Sequence, residues 1–221
     1  MLVGYCVRRA GEPGPDPSLA GVGGAPVRLV EAAGLGLWLS DHTGDDAGPA
    51  RLREHDAVVR AALESATPLP LRFGTHLRDE AAARTLLTER AEEFGEALER
   101  VAGRVEMGIR VLWDRPDPPA GSASVHSGKE FLEMRRRAIL GEEERRREAE
   151  AMLAGVERHL APLGLPQARA VLAREDVAGT LAHLVQRDEL TRYVSHVKEA
   201  GRALPRGRLR LSGPWAPYSF V

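Results

Sequence analysis

Residues 104–113 read RVEMGIRVLW and form the clearest β-strand in the sequence. Side chains of a strand point alternately to its two faces, and here every second residue is apolar. The apolar residues are Val105, Met107, Ile109, Val111 and Trp113. Glu106 and Arg110 lie on the opposite, polar face. We expect Glu106 to form a structural ion pair with Arg110 or Arg72 rather than a ligand site.

The residues before this strand predict an α+β domain over residues 1–114, in which the strand completes a sheet covered by helices. Alternating apolar side chains indicate the strands, and apolar positions at helical spacing indicate the helices. The predicted elements are strands at residues 2–8, 27–31 and 35–40, a short extended piece at residues 71–75, and helices at residues 49–65 and 79–102.

The residues after the strand predict a second α+β domain, at residues 127–212, behind a Pro/Ser-rich linker at residues 115–126. Ser127 and Glu130 match a capping box that opens a long helix. The middle of that helix is almost entirely charged and is stabilised by pairs four residues apart. The predicted elements are helices at residues 127–160 and 188–201 and strands at residues 168–173, 179–186 and 206–211.

The chain ends in an aromatic tail, residues 213–221, which reads GPWAPYSFV. Aromatic residues make up only 5% of the chain, yet Trp215, Tyr218 and Phe220 all fall here. The prolines of the tail exclude a helix or a central strand, so we expect an extended segment. Chain ends fray unless they are tied down, so this tail docks either on the second domain of its own chain or on a partner. Both interpretations stay open at this point.

Composition excludes several classes of protein. The formal net charge of −1 gives no general attraction to nucleic acid or to an anionic membrane. The single cysteine, Cys6, excludes an internal disulfide and fits a reducing compartment. No apolar run approaches the roughly 18 residues of a membrane span, and the first residues lack the pattern of a secretory signal. We therefore expect a cytoplasmic protein.

No motif for nucleotide or metal binding is present. The glycine-rich residues 21–24 lack the Lys-Ser/Thr ending of a phosphate loop, and the histidines are scattered. His55 lies on the apolar stripe of the first helix and predicts a partly buried histidine bonded to a backbone carbonyl, while Cys6 predicts a small core residue. We predict no catalytic, cofactor-binding or metal-binding residues and no cofactor. An enzyme built on His55 or Cys6 is a remaining alternative.

Short motifs are spread along the chain to its last residue. Residues 70–75 resemble a Pro-x-Arg-Phe-Gly-Thr motif, and residues 103–113 resemble a Gly-Arg-x-Glu strand that ends in Trp. Residues 127–132 resemble the start of a second-domain helix, and residues 213–221 resemble a terminal Gly-Pro-Trp-Pro-Pro-Tyr-Ser-Phe. Together these segments resemble the gas vesicle proteins GvpF and GvpL. Ala216 departs from the pattern, because the family more often has proline there.

The resemblance implies two α+β domains, the second a modified ferredoxin-like unit. It also implies an assembly factor or minor component of the gas vesicle, located in the cytoplasm. The resemblance further implies that the protein binds the small hydrophobic shell protein and limits its aggregation during nucleation. The implied partners are the gas vesicle shell protein and other gas vesicle accessory proteins, and no catalytic residue is implied. Whether the chain is of the GvpF or the GvpL type stays open.

The candidate interaction or structural residues are those of the motifs. They are Arg72, Phe73, Gly74, Glu106, Trp113, Trp215, Tyr218 and Phe220. A small-molecule-binding regulatory α+β protein is the alternative hypothesis. It predicts a closed pocket in which polar groups converge around Arg72, Glu106 and Arg110.

Overall fold

The structure of the protein, a computed structural model, covers most of the chain. The residues that it describes are 1–42, 44, 48–114, 128–174 and 176–221. Residues 128–140 are described by their backbone alone. The predicted linker at residues 115–126 and the capping residue Ser127 lie outside the described residues.

Strands and helices follow one another along the chain in a mixed order. They are β1 (Leu2–Arg9), β2 (Arg28–Ala32), β3 (Leu35–Asp41), α1 (Pro49–Ser65), β4 (Leu69–Pro70), β5 (His76–Leu77), α2 (Glu80–Glu89), α3 (Ala91–Val101), β6 (Arg104–Leu112), α4 (Gly128–Leu160), β7 (Gln167–Val171), β8 (Val177–Gln186), α5 (Leu190–Ala203) and β9 (Arg208–Trp215). The α+β class predicted from the sequence is confirmed.

Contacts between residues divide the chain into two units. The first contains residues 1–106 and 214–221, and the second contains residues 107–213. The predicted domain limits, at residues 114 and 127, differ from this division. Strand β6 leaves the first unit after Glu106 and lies in a sheet of order β7-β8-β6-β9. The prediction that this strand completes the first sheet is therefore wrong, because alternation shows that a segment is a strand but not which distant strand it pairs with.

The first unit is built around strand β1. Its sheet has the order β2-β3-β1-β4, with β5 also paired to β1. Residues 2–8 of β1 are all buried. Because successive side chains point to opposite faces, continuous burial means that both faces of this strand are covered. Helix α1 packs against β1, α2 packs against β2 and β3, and α3 packs against β1 and β4.

Helix α1 has the limits predicted from the sequence, residues 49–65, and begins with Pro49 in its first turn. Its buried face contains His55, Val58, Val59, Ala62 and Leu63. Leu52, which the sequence placed on this apolar stripe, is instead 50% exposed. It lies one turn before the buried face begins, where the helix reaches past the core.

The prediction of a single helix at residues 79–102 is wrong in one respect: the segment forms two helices, which are divided at Arg90. That residue has φ −110° and ψ 23° and separates α2 from α3. Its guanidinium lies 4.6 Å from the centroid of the Phe94 ring and donates a 2.7 Å hydrogen bond to Glu93. Each shorter helix still buries its own apolar stripe, ending in Leu87 and in Val101 respectively.

The second unit packs helices α4 and α5 against its sheet. Helix α4 contacts β7, β8 and α5, and α5 also contacts β8. Among the residues of these helices whose side chains the structure describes, the buried ones are Ala149, Met152, Leu153, Val156, Leu160, Tyr193, Val197 and Ala200. Pro214 lies within β9, which proline tolerates because β9 is the edge strand of the sheet. The modified ferredoxin-like character of this unit stays a prediction.

Candidate protein-interaction surface

The aromatic tail docks on its own chain, in the first unit. Ala216 is buried in the same core cluster as Val3 and Tyr5. The carboxylate of Glu106 accepts two hydrogen bonds from Ser219, one from the backbone N–H and one from the hydroxyl, each of 2.8 Å. Of the two interpretations left open, the structure therefore has the tail docked on its own chain. The tail docks on the first unit, however, and not on the second domain as expected. The expected ion pair of Glu106 with an arginine is replaced by these bonds to the tail.

A tight turn holds the Arg-Phe-Gly motif in place. The backbone carbonyl of Arg72 accepts hydrogen bonds from Thr75, at 3.0 Å from its N–H and 2.7 Å from its hydroxyl. Gly74 has φ +84°, a conformation that side-chain-bearing residues rarely adopt and that a type II turn requires at this position. The turn therefore needs glycine, and it sets the direction in which Phe73 points.

Phe73 and the tail form the walls of an open groove. The groove has a volume of about 470 Å³ and is lined by Leu52, Arg53, His55, Asp56, Arg72, Phe73, Trp215 and Tyr218. Tyr218 is 38% exposed and Leu52 is 50% exposed. Large apolar side chains that stay half in solvent are expected where another molecule binds, since isolated soluble surfaces carry few contiguous apolar patches.

The charged groups of the groove are unequally paired. Asp56 accepts a 2.9 Å hydrogen bond from Arg60, whose guanidinium also lies 4.9 Å from the centroid of the Trp215 ring. Arg53 and Arg72 are exposed, and neither guanidinium makes a hydrogen bond or an ion pair within the described part of the chain. The rim of the groove therefore carries a net positive charge.

His55 forms the floor of the groove and stays neutral. It is 1% exposed, and its Nε2–H donates a 3.1 Å hydrogen bond to the carbonyl of Leu71. Its ring lies between Tyr5 and Phe73, with centroids 5.2 Å and 5.6 Å away. Burial lowers the pKa of His55 below its ordinary value. The predicted buried histidine bonded to a backbone carbonyl is confirmed.

Two further groups near the groove, Tyr218 and Cys6, are also held in their neutral form. Burial raises the pKa of Tyr218, and the nearby charge of Asp56 raises it further. Cys6 is fully buried, and desolvation raises the pKa of its thiol to about 12. A thiol nucleophile needs its thiolate form, which Cys6 does not have near neutral pH.

The structure brings some of the sequence-predicted residues together and separates others. Arg72, Phe73, Trp215 and Tyr218 line the groove, while Gly74 shapes its turn and Glu106 fastens the tail. The other two lie elsewhere. Trp113 belongs to the second unit, where its indole N–H donates a 2.7 Å hydrogen bond to the carbonyl of Arg174, and Phe220 is half-buried outside the groove.

The groove that contains Arg72 is lined by neither Glu106 nor Arg110, so the pocket expected around these three residues stays a prediction. Sequence reasoning also missed the contribution of helix α1, from Leu52, Arg53 and Asp56. A leucine one turn before the buried stripe of a helix is the signal that could have indicated an exposed apolar contact.

A second concavity lies in the second unit between α4 and α5. It has a volume of about 640 Å³ and is lined by Glu148, Ala151, Met152, Gly155, Arg158, His159, Pro162, Ala200, Ala203, Leu204, Pro205 and Arg206. Half of its described lining residues are Ala, Gly or Pro, and these lining residues include no aromatic ring apart from His159. Aromatic residues contribute disproportionately to protein contacts, so the groove of the first unit is the stronger candidate.

Comparison with known proteins gives a consistent result. The family model of the gas vesicle synthesis protein GvpL/GvpF matches residues 3–221. Gas vesicle protein L of a Streptomyces species is 32% identical, over 91% of this chain and 85% of its own length. Gas vesicle protein F of the same species is 26% identical, over 98% of both chains.

Solved structures show the same fold. The gas vesicle protein GvpF of Anabaena superposes with a TM-score of 0.77 at 22% identity, over 99% of this chain and 94% of that one. GvpF of Microcystis aeruginosa gives a TM-score of 0.74 at 20% identity, over 99% and 98% of the two chains. None of the helices in the described part of the chain combines the length and the apolar character needed to cross a bilayer.

Proposed function

The chain belongs to the GvpL/GvpF family of gas vesicle synthesis proteins and thus takes part in gas vesicle formation, and within that role we propose that it binds the hydrophobic shell protein. By covering apolar surface of the shell protein, it limits shell-protein aggregation during nucleation. It also contacts other gas vesicle accessory proteins. It acts in the cytoplasm, at the growing vesicle.

The observation that carries this proposal is the groove of the first unit. Phe73, Trp215 and Tyr218 supply aromatic walls, and Leu52 supplies an exposed aliphatic edge. A shell that excludes water from a gas space must be built from subunits with large apolar surfaces, and such surfaces aggregate when they are uncovered. A groove of half-exposed aromatic side chains is suited to covering part of that surface for a limited time.

The chemistry of the groove supports binding rather than catalysis. His55 uses its Nε2–H to hold a backbone carbonyl, and its burial opposes the charged form. Tyr218 is likewise held in its neutral form by burial. A general acid or base works best when its pKa lies near the working pH, and burial moves the pKa of both side chains away from neutrality.

A test follows from the exposure of Leu52. Replacing it with glutamate, Leu52→Glu, places a charge in the apolar mouth of the groove without disturbing the core. We expect the wild-type chain to suppress the light scattering of shell protein that is diluted out of denaturant. We expect Leu52→Glu to lose most of this suppression, because a carboxylate in an apolar contact must be desolvated without a partner.

The matched control is Leu172→Glu. Leu172 is 37% exposed and belongs to the second unit. The substitution therefore makes the same change of charge and polarity as Leu52→Glu, but outside the groove. We expect this variant to act like the wild-type chain. A wild-type chain that leaves shell-protein aggregation unchanged would refute the proposed function, and equal loss in both variants would show that the groove is not the site.

A further inference from the structure

We infer that the groove recognises an acidic, apolar segment of its protein partner, in which a carboxylate lies next to apolar side chains. This inference rests on the proposed function and adds to it the chemistry of the partner. Apolar side chains of the segment would contact Phe73, Trp215 and Tyr218, and its carboxylate would pair with Arg53 and Arg72.

The argument for the carboxylate comes from the balance of charge. The acidic side chain of the groove, Asp56, is already paired with Arg60 at 2.9 Å. Arg53 and Arg72 both line the groove and have no ion-pair partner in the described chain. The pKa of Glu54 is lowered chiefly by hydrogen bonds from the Gly23 N–H and from Arg51, with Arg53 contributing least, and the ion-pair partner of Glu54 is Arg51, at 2.9 Å. Two unpaired guanidinium groups beside apolar walls are complementary to an anionic, apolar ligand.

The argument for a chain segment rather than a small molecule comes from the shape of the groove. Small-molecule sites usually bury most of the ligand surface. Here Leu52 and Tyr218 line the groove and remain 50% and 38% exposed, so the cavity is open along its side. A chain segment of the partner that continues past the groove in both directions fits such a shape. The residues of that segment that flank the groove would remain exposed to solvent.

Arg53 and Arg72 are suitable for substitution because they are exposed and support no other side chain. The test uses overlapping fluorescent peptides that cover the shell protein, titrated against the full-length chain by anisotropy. We expect the peptides that bind to contain Asp or Glu beside apolar residues. Replacing that acidic residue with its amide should weaken binding to the wild-type chain by about threefold to tenfold, the range of one or two exposed ion pairs.

The double variant Arg53→Gln/Arg72→Gln completes the cycle. We expect it to bind the acidic peptide and the amide peptide equally, because the pair that distinguishes them is gone. A second double variant, Arg100→Gln/Arg210→Gln, removes the same charge from two exposed arginines outside the groove and should discriminate as the wild-type chain does.

Several outcomes would overturn the inference. One is that the peptides that bind contain no acidic residue. Another is that Arg53→Gln/Arg72→Gln still binds the acidic peptide more tightly than the amide peptide, as the wild-type chain does. Stabilisation of the chain by octanoate, where no peptide binds, would show a small-molecule site instead. If no peptide binds but the wild-type chain still suppresses shell-protein aggregation, the inference fails while the proposed function stands. If the wild-type chain does not suppress aggregation either, both fail.

Discussion

Two buried histidines show how the fold determines the state of single residues. His55 lies in the first unit and donates to a backbone carbonyl, whereas His183 lies in the second unit with its Nδ1 2.9 Å from the hydroxyl of Tyr193. Burial lowers the pKa of both side chains, and that of His183 falls to about 4. Each histidine is therefore neutral at the pH at which the protein is expected to work, and each makes stability depend on pH.

The pH dependence has a definite sign for His183, which is 2% exposed. In the unfolded chain this histidine takes up a proton as the pH falls below 6.5, whereas in the folded chain it stays neutral until about pH 4. Protons therefore favour the unfolded state in this window, and the stabilisation present above pH 6.5 is lost as the pH falls. We expect His183→Gln to remove about 2–3 kcal/mol of the fall in unfolding free energy between pH 7 and pH 4.5.

Denaturant unfolding of the wild-type chain and the variant at the two pH values provides the measurement. The exposed His159 supplies the control, because His159→Gln should leave the pH dependence of the wild-type chain in place. An unchanged pH dependence in His183→Gln would contradict the account of this residue.

At the scale of elements, sequence patterns identified what is local. The limits of α1 follow from Pro49 and from an apolar stripe, and the alternation in β6 matches its buried positions at Val105, Met107, Ile109 and Val111. The break at Arg90 was not predictable, since no Pro or Gly occurs there and the geometry depends on Glu93 and Phe94. The pairing of β6 with β8 and β9 was not predictable either, because it joins distant segments.

The candidate site was predicted in the same partial way. Motif residues such as Phe73 and Trp215 were identified, but nothing in the sequence shows that the turn and the tail meet at one groove. The turn and the tail meet because Glu106 binds Ser219 and because Ala216 is buried in the core of the first unit. These contacts join distant segments, since Glu106 and Ser219 are 113 residues apart in the sequence. Leu52 was misplaced because helical spacing alone does not show where the core ends.

Two glycines in different elements should respond oppositely to alanine. Gly74 has φ +84°, so Gly74→Ala strains the turn and should destabilise the chain by about 1 kcal/mol or more. Gly95 lies in helix α3, and a Cβ added there meets no atom within 4 Å. Gly95→Ala should therefore stabilise the chain by up to about 1 kcal/mol, as alanine favours helices over glycine.

Thermal unfolding of the two variants is the measurement, with shell-protein binding measured in parallel. We expect only Gly74→Ala to weaken binding, because the turn positions Phe73 in the groove. A Gly74→Ala variant that is as stable as the wild-type chain and binds equally well would contradict the role assigned to the turn.

At the scale of the whole molecule, the two ends of the chain belong to the same unit. Residues 214–221 return to the unit formed by residues 1–106, where Ala216 joins its core. The tail is thus a wall of the groove and a part of the fold at once. Deleting it would remove both functions together, so point substitutions at the exposed rim separate binding from folding better than truncation does.

The central claim is that the groove of the first unit contacts the shell protein. Photo-cross-linking during gas vesicle formation tests it most directly, with a benzoylphenylalanine placed at position 52 in the rim of the groove or at position 172 in the second unit. Both positions carry partly exposed leucines, so the two variants are matched. The account predicts a cross-link to shell protein from position 52 and none from position 172. A cross-link from position 172 alone, or none from either, would contradict it.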